Sequence, residues 1–150
     1  MIIVDRVYSE SDLPEAARGY ARDTITLGWE ERTHVHGRRR TDGGVEFGTS
    51  LPRGTVLHAG DCLVLDESRI VAAILERAEP VFVIEPRSPQ EWGAFAYHIG
   101  NRHQPLMITP TAIVCPDAPA IDQLLQQHHI PHRRAMMAFT PVAGSVGHQH

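Results

Sequence analysis

Between Pro80 and Phe139 the apolar residues change period in a fixed order, and that order limits the available folds more than any other feature. Pro80 to Ile84 is a compact apolar run closed by Glu85-Pro86, which predicts a strand. Ser88 and Pro89 follow as N-cap and first helical residue, with Glu91 three positions after the cap. Trp92, Phe95, Ala96 and Ile99 then recur at i, i+3, i+4 and i+7, a single helical stripe. Leu106 to Ile108 and Thr111 to Cys115 read as strands around Pro110. Ala120 to His128 reads as a second helix with Ile121, Leu124 and Leu125 on one face, and Ala135 to Phe139 as a last strand. Strand, helix, strand, strand, helix, strand is the split βαβ, or ferredoxin-like, pattern.

The first half has another rhythm. Ile2 to Val7, Asp23 to Leu27, Val56-Leu57, Cys62 to Leu65 and Ile70 to Leu75 are short strand candidates. Asp42-Gly43-Gly44, Leu51 to Thr55 and Ala59-Gly60-Asp61 are the breaks between them. Many short strands at close spacing predict a small all-β module. The expected fold class is therefore α+β, with a boundary near Arg77 to Glu79. Residues 1–77 form the β domain, 78–141 the ferredoxin-like domain, and 142–150 a flexible His-bearing tail.

Composition narrows the function. With 42% hydrophobic and 21% charged residues the chain is of ordinary globular type. Its net charge of -4 gives no basic field for nucleic acid. Arg38-Arg39-Arg40, just before Asp42-Gly43-Gly44, reads as a solvated turn. No apolar stretch reaches the roughly 18 residues that span a bilayer. Cys62 and Cys115 stand far apart without C-x-x-C spacing, as expected of a reducing cytoplasm. No nucleophile elbow, P-loop, dinucleotide fingerprint or H-E-x-x-H motif is present. The adjacent acids Glu30-Glu31 and Asp66-Glu67 fit surface better than an acid and base pair. An enzyme is not expected. The anomaly is histidine: ten residues, more than Phe, Tyr and Trp together.

Two places concentrate the ligand candidates. His103 follows the first helix of the second domain, within Gly100-Asn101-Arg102-His103-Gln104-Pro105. Gly100 and Asn101 end helices and Pro105 forbids continuation, so His103 sits at the surface past a helix end. Taken alone it reads as a capping or surface residue. His98 lies about 140° away around the helix and is no evident co-ligand. At the C-terminus, His148 and His150 have the spacing that aims both rings the same way in an extended segment. They are equally a polar tail. His34 and His36 read as a solvated strand face; His128, His129 and His132 suit the dipole at a helix end. Cys62 and Cys115 read as small core residues at strand ends.

The Gly100 to Pro105 segment, preceded by Ala96-Tyr97-His98-Ile99, resembles the UreE family of urease accessory nickel chaperones. Leu27 to Arg32, Leu51 to Leu57 with Gly60-Asp61, and Phe139-Thr140-Pro141 with its His-bearing tail are similar to further family landmarks, in order along the chain. The resemblance implies a β module for protein contacts and a ferredoxin-like, metal-binding domain that forms a homodimer. It implies that His103 is the body ligand, paired across the two-fold with its mate and joined by His148 and His150. The implied cargo is Ni²⁺, with Zn²⁺ or Cu²⁺ accepted by the same imidazoles. The implied partners are the urease accessory GTPase and the urease apoprotein complex, with no nucleic acid or membrane. Two family features are missing. Pro116, Asp117 and Pro119 stand nearest to where some members carry extra histidines, and the tail is not a long His-rich one. Two readings compete: a protein-binding adaptor with incidental histidines, and a small metal-dependent hydrolase, for which no residue nominates itself as base.

Overall fold

The computed structural model describes residues 1–142 and divides into two compact units, Met1–Arg77 and Ala78 onward. His148 and His150, with the rest of the tail after Val142, lie outside the described residues.

The first unit pairs two three-stranded sheets. One contains β1 (Ile3–Val4), β3 (His36–Arg40) and β4 (Glu46–Ser50), in the order β1-β4-β3. The other contains β2 (Ala21–Leu27), β5 (Cys62–Leu65) and β6 (Ile70–Glu76), in the order β2-β6-β5. Strand alternation points Ile25, Leu27, Leu63, Leu65, Ala72 and Ile74 to one face, where they meet Val4, Phe47, Leu51 and Leu57. The unbroken apolar run of β5 has a clear cause. Its second face, Cys62 and Val64, is covered by Leu13 and Ala17 in and beside two short 3-10 segments, Glu10–Asp12 and Glu15–Gly19.

An all-β expectation misses those segments and α1 (Trp29–Thr33). The Glu31 carboxylate of α1 accepts the Gly28 N–H at 3.1 Å and so satisfies one free amide of the first turn. Buried Arg32 donates to the Leu57 carbonyl at 3.2 Å and lies 3.7 Å from Glu76. Leu57 is therefore core, but Val56-Leu57 is not a strand. Arg38-Arg39-Arg40, expected as a turn, is strand. Gly44, at φ +97°, makes the reversal, and β3 and β4 pair from Arg40 opposite Glu46 to His36 opposite Ser50.

The second unit contains β7 (Glu79–Ile84), α2 (Pro89–Asn101), β8 (Met107–Ile108), β9 (Ile113–Pro116), α3 (Pro119–Gln127) and β10 (Arg133–Met137). Its sheet runs β10-β7-β9-β8 with every neighbour antiparallel. Phe82, Ile84, Ile113 and Cys115 from the sheet share one core with Ile99 of α2 and Ile121, Leu124 and Leu125 of α3. The last strand begins earlier than its apolar residues suggest. Pairing of Arg133 with Val83 and of Met137 with Glu79 sets the register, and ion pairs to Glu85 and Asp117 hold Arg133 and Arg134 at this edge. Phe139 is fully buried beyond the strand. Val142, assigned to the flexible tail by sequence, donates its N–H to the Leu106 carbonyl at 2.7 Å.

Candidate metal centre

The placement of His103 begins at the other end of α2. The Ser88 side chain accepts the Glu91 N–H at 3.1 Å, and the Glu91 carboxylate accepts the Arg87 N–H at 2.8 Å. The helix then lays Trp92, Phe95, Ala96 and buried Ile99 on the core. At its end the His103 N–H donates to the Gly100 carbonyl at 2.9 Å and the Gln104 N–H to the Ile99 carbonyl at 3.3 Å. These two bonds make a Schellman termination, whose left-handed position normally belongs to glycine. Here it belongs to His103, at φ +56°. A side chain in that conformation pays for its Cβ sterically, and such residues gather where function holds them. His103 is exposed, and buried Leu106 anchors the chain after Pro105.

Helix α3 ends in the same way. His129, at φ +54°, donates to Gln126 at 3.1 Å, and Ile130 donates to Leu125 at 2.9 Å. The two helix ends meet: Arg102 donates to the Gln127 side chain at 3.3 Å, and the His98 and His128 rings stack at 3.9 Å and 15°. Tyr97 sets its ring edgewise on His98 at 5.5 Å. Helical spacing gives the angle of His98 to His103 but cannot reveal a partner on another helix. Stacked rings send their in-plane lone pairs in parallel, so this pair does not chelate one ion as it stands.

Desolvation, then the charges of His98, Arg102 and His129, hold His128 below the usual histidine range. Folding thus favours its neutral form. The stabilisation is present above the unfolded value of about 6.5 and is lost as pH falls through the folded one. An NMR titration should find a His128 midpoint below that of an unfolded histidine, and a midpoint at or above about 6.5 would contradict the packing.

The remaining candidates separate. His132 Nδ1 lies 2.8 Å from the Ile130 carbonyl, and its ring meets Phe82 edge-on at 5.0 Å, a packing role. His34 sits at the C-terminal cap of α1 and His36 in β3, so they do not share the strand face expected of them. Burial pushes the Cys115 thiol up to about 12, and burial with a 3.2 Å hydrogen bond to Glu10 pushes Cys62 up to about 11. Thiolate ligands are therefore scarce at neutral pH. Among the described residues no three His, Cys, Asp or Glu side chains converge as a metal site within one chain. Also among them, no helix is long and apolar enough to cross a membrane.

Both units match one family. Residues 4–75 match the UreE urease accessory protein N-terminal domain, and residues 79–150 its C-terminal domain. The chain belongs to the UreE family. It is 34% identical over 127 residues to the urease accessory protein UreE of Nostoc punctiforme, covering 85% of this chain and 86% of that one. The UreE of Citrobacter koseri is 33% identical over 132 residues, covering 85% and 87%. The UreE of Enterobacter sp. (strain 638) is 31% identical over 122 residues, covering 81% and 80%. As a UreE family member the chain is a urease accessory protein and not an enzyme.

Proposed function

We propose that this chain captures Ni²⁺ through His103 and delivers it for assembly of the urease active site. The observation that carries this reading is the exposed position of His103 just past the end of α2, inside the Gly100 to Pro105 segment that carries the likeness to the UreE C-terminal domain. One imidazole holds an ion weakly, but a homodimer doubles every ligand about its two-fold. Two His103 rings, with His148 and His150 from both tails, make a neutral nitrogen site open to solvent. Such a site can release its cargo as well as capture it. Zn²⁺ and Cu²⁺ accept the same ligands.

We read the second unit as the dimerising metal domain, with a ferredoxin-like topology that its β10-β7-β9-β8 strand order supports. The receiving partners are the urease accessory GTPase and the urease apoprotein complex, in the cytoplasm, where two free thiols persist.

Histidine must be neutral to bind, so Ni²⁺ affinity should fall as pH drops through about 6.5. Ni²⁺ titrations at several pH values, on the full chain and on a chain lacking His148 to His150, test this directly. Truncation should weaken binding less than loss of His103 does, because ordering a tail opposes its ligation entropically. Affinity that stays flat down to about pH 5 would exclude histidine ligation. Abolition of binding by truncation would make the tail the principal site.

A further inference from the structure

Strand β3 lies at the edge of its sheet, with β4 on one side and, among the described residues, no strand on the other. Its outward backbone groups can be assigned. The Val35 carbonyl accepts from Leu51 and the Thr41 N–H donates to Val45, each at 2.9 Å, so the odd-numbered residues between them face β4. Gly48, opposite Arg38, accordingly turns its N–H the other way, to the Ile2 carbonyl at 2.9 Å. His36, Arg38 and Arg40 therefore present N–H and C=O groups to the open edge. Their side chains share one face, and all three residues are exposed. Arg39 alone points the other way, donating to the Glu31 and His34 carbonyls at 2.8 Å each.

The charge here is not consumed locally. Across β4 the row faces Ser50, Gly48 and Glu46, and among the described residues neither Arg38 nor Arg40 forms an ion pair. A basic row on an edge strand repels a second copy of itself, which is how natural edges avoid self-pairing. The same row selects an acidic strand, and it stands out on a chain of net charge -4.

We propose that the open edge of β3 is a docking strand for an extended acidic segment of a partner protein. The segment adds beside β3 and places carboxylates at alternate positions opposite His36, Arg38 and Arg40. Backbone pairing supplies the register and the charges supply selectivity. The inference is independent of the metal reading, since it uses no residue of that site.

The probe is a labelled seven-residue peptide with glutamate at alternate positions and valine or threonine between, added to the full chain at about 0.15 M salt. Anisotropy should show saturable binding, with amide shifts concentrated on His36, Arg38 and Arg40. Joint Arg38→Glu and Arg40→Glu substitution should weaken binding on the order of tenfold or more. The pair Arg38→Gln and Arg40→Gln serves if the reversed charges disturb folding. A peptide of equal charge carrying proline between its glutamates should lose binding, because proline cannot join a ladder. Absence of saturable binding overturns the proposal and leaves the row as edge protection. Equal binding of the proline peptide, or of an oligonucleotide of the same charge, overturns it in favour of unspecific ion attraction.

Discussion

Ni²⁺ affinity should drop by at least about tenfold, or roughly 1.4 kcal/mol, when His103 is replaced by alanine, while the fold is retained. The side chain is exposed past the end of α2, so its removal opens no cavity. A glycine at the same position sharpens the test. His103→Gly should lose the same affinity yet stabilise the second unit by up to about 1 kcal/mol, because glycine accepts φ +56° without steric cost. For a unit of this size that is a rise of roughly 4–8 °C in Tm. His129→Gly, at the matching position of α3, should raise stability similarly and leave Ni²⁺ binding unchanged. Calorimetric titration and scanning calorimetry on the three variants separate ligation from backbone strain. Unchanged titration curves in a folded His103→Ala protein would end the case for this residue as ligand.

Phe82→Ala should remove about 3–5 kcal/mol from the second unit, a large part of the stability a domain usually has. Phe82 lies fully buried on β7, between β10 and β9 in the sheet. It meets the core shared with α2 and α3, the edge of His132 at 5.0 Å and the guanidinium of Arg134 at 5.3 Å. Truncation therefore empties the centre of the unit and removes a ring contact as well as area. Urea unfolding monitored by circular dichroism measures the loss. A destabilisation below about 1.5 kcal/mol would mean that the sheet and helices close over the space more completely than protein cores usually do.

Much of the second unit was legible because its signals are local. Ser88, Pro89 and Glu91 fix the start of α2 through bonds no longer than one helical turn. Ile121, Leu124 and Leu125 appear on one face by period alone, and all three are buried. The apolar runs of β5, β6 and β7 are long enough to read directly. The first unit was less legible where small elements derive their stability from packing. Leu13 and Ala17 are ordinary residues in sequence, and only their cover over Cys62 and Val64 gives the 3-10 segments a purpose. The arginine run illustrates the same limit. Next to Asp42-Gly43-Gly44 it reads as turn, whereas pairing with β4 makes it strand.

The sequence by itself determined the order of elements in the second unit, the family likeness carried by Gly100 to Pro105, and the position of His103 past a helix end. Those properties follow from periodicity, capping and chain-breaking residues, which act over a few neighbours. Tertiary structure decided that His98 stacks on His128 and that His36, Arg38 and Arg40 line an open edge. Both depend on how two backbone segments meet, whereas the left-handed position of His103 is set by bonds within Ile99 to Gln104. A one-residue change of register would turn β3 over, and a small rotation of α3 would part the two rings. Such contacts are fixed only when the whole core closes around them.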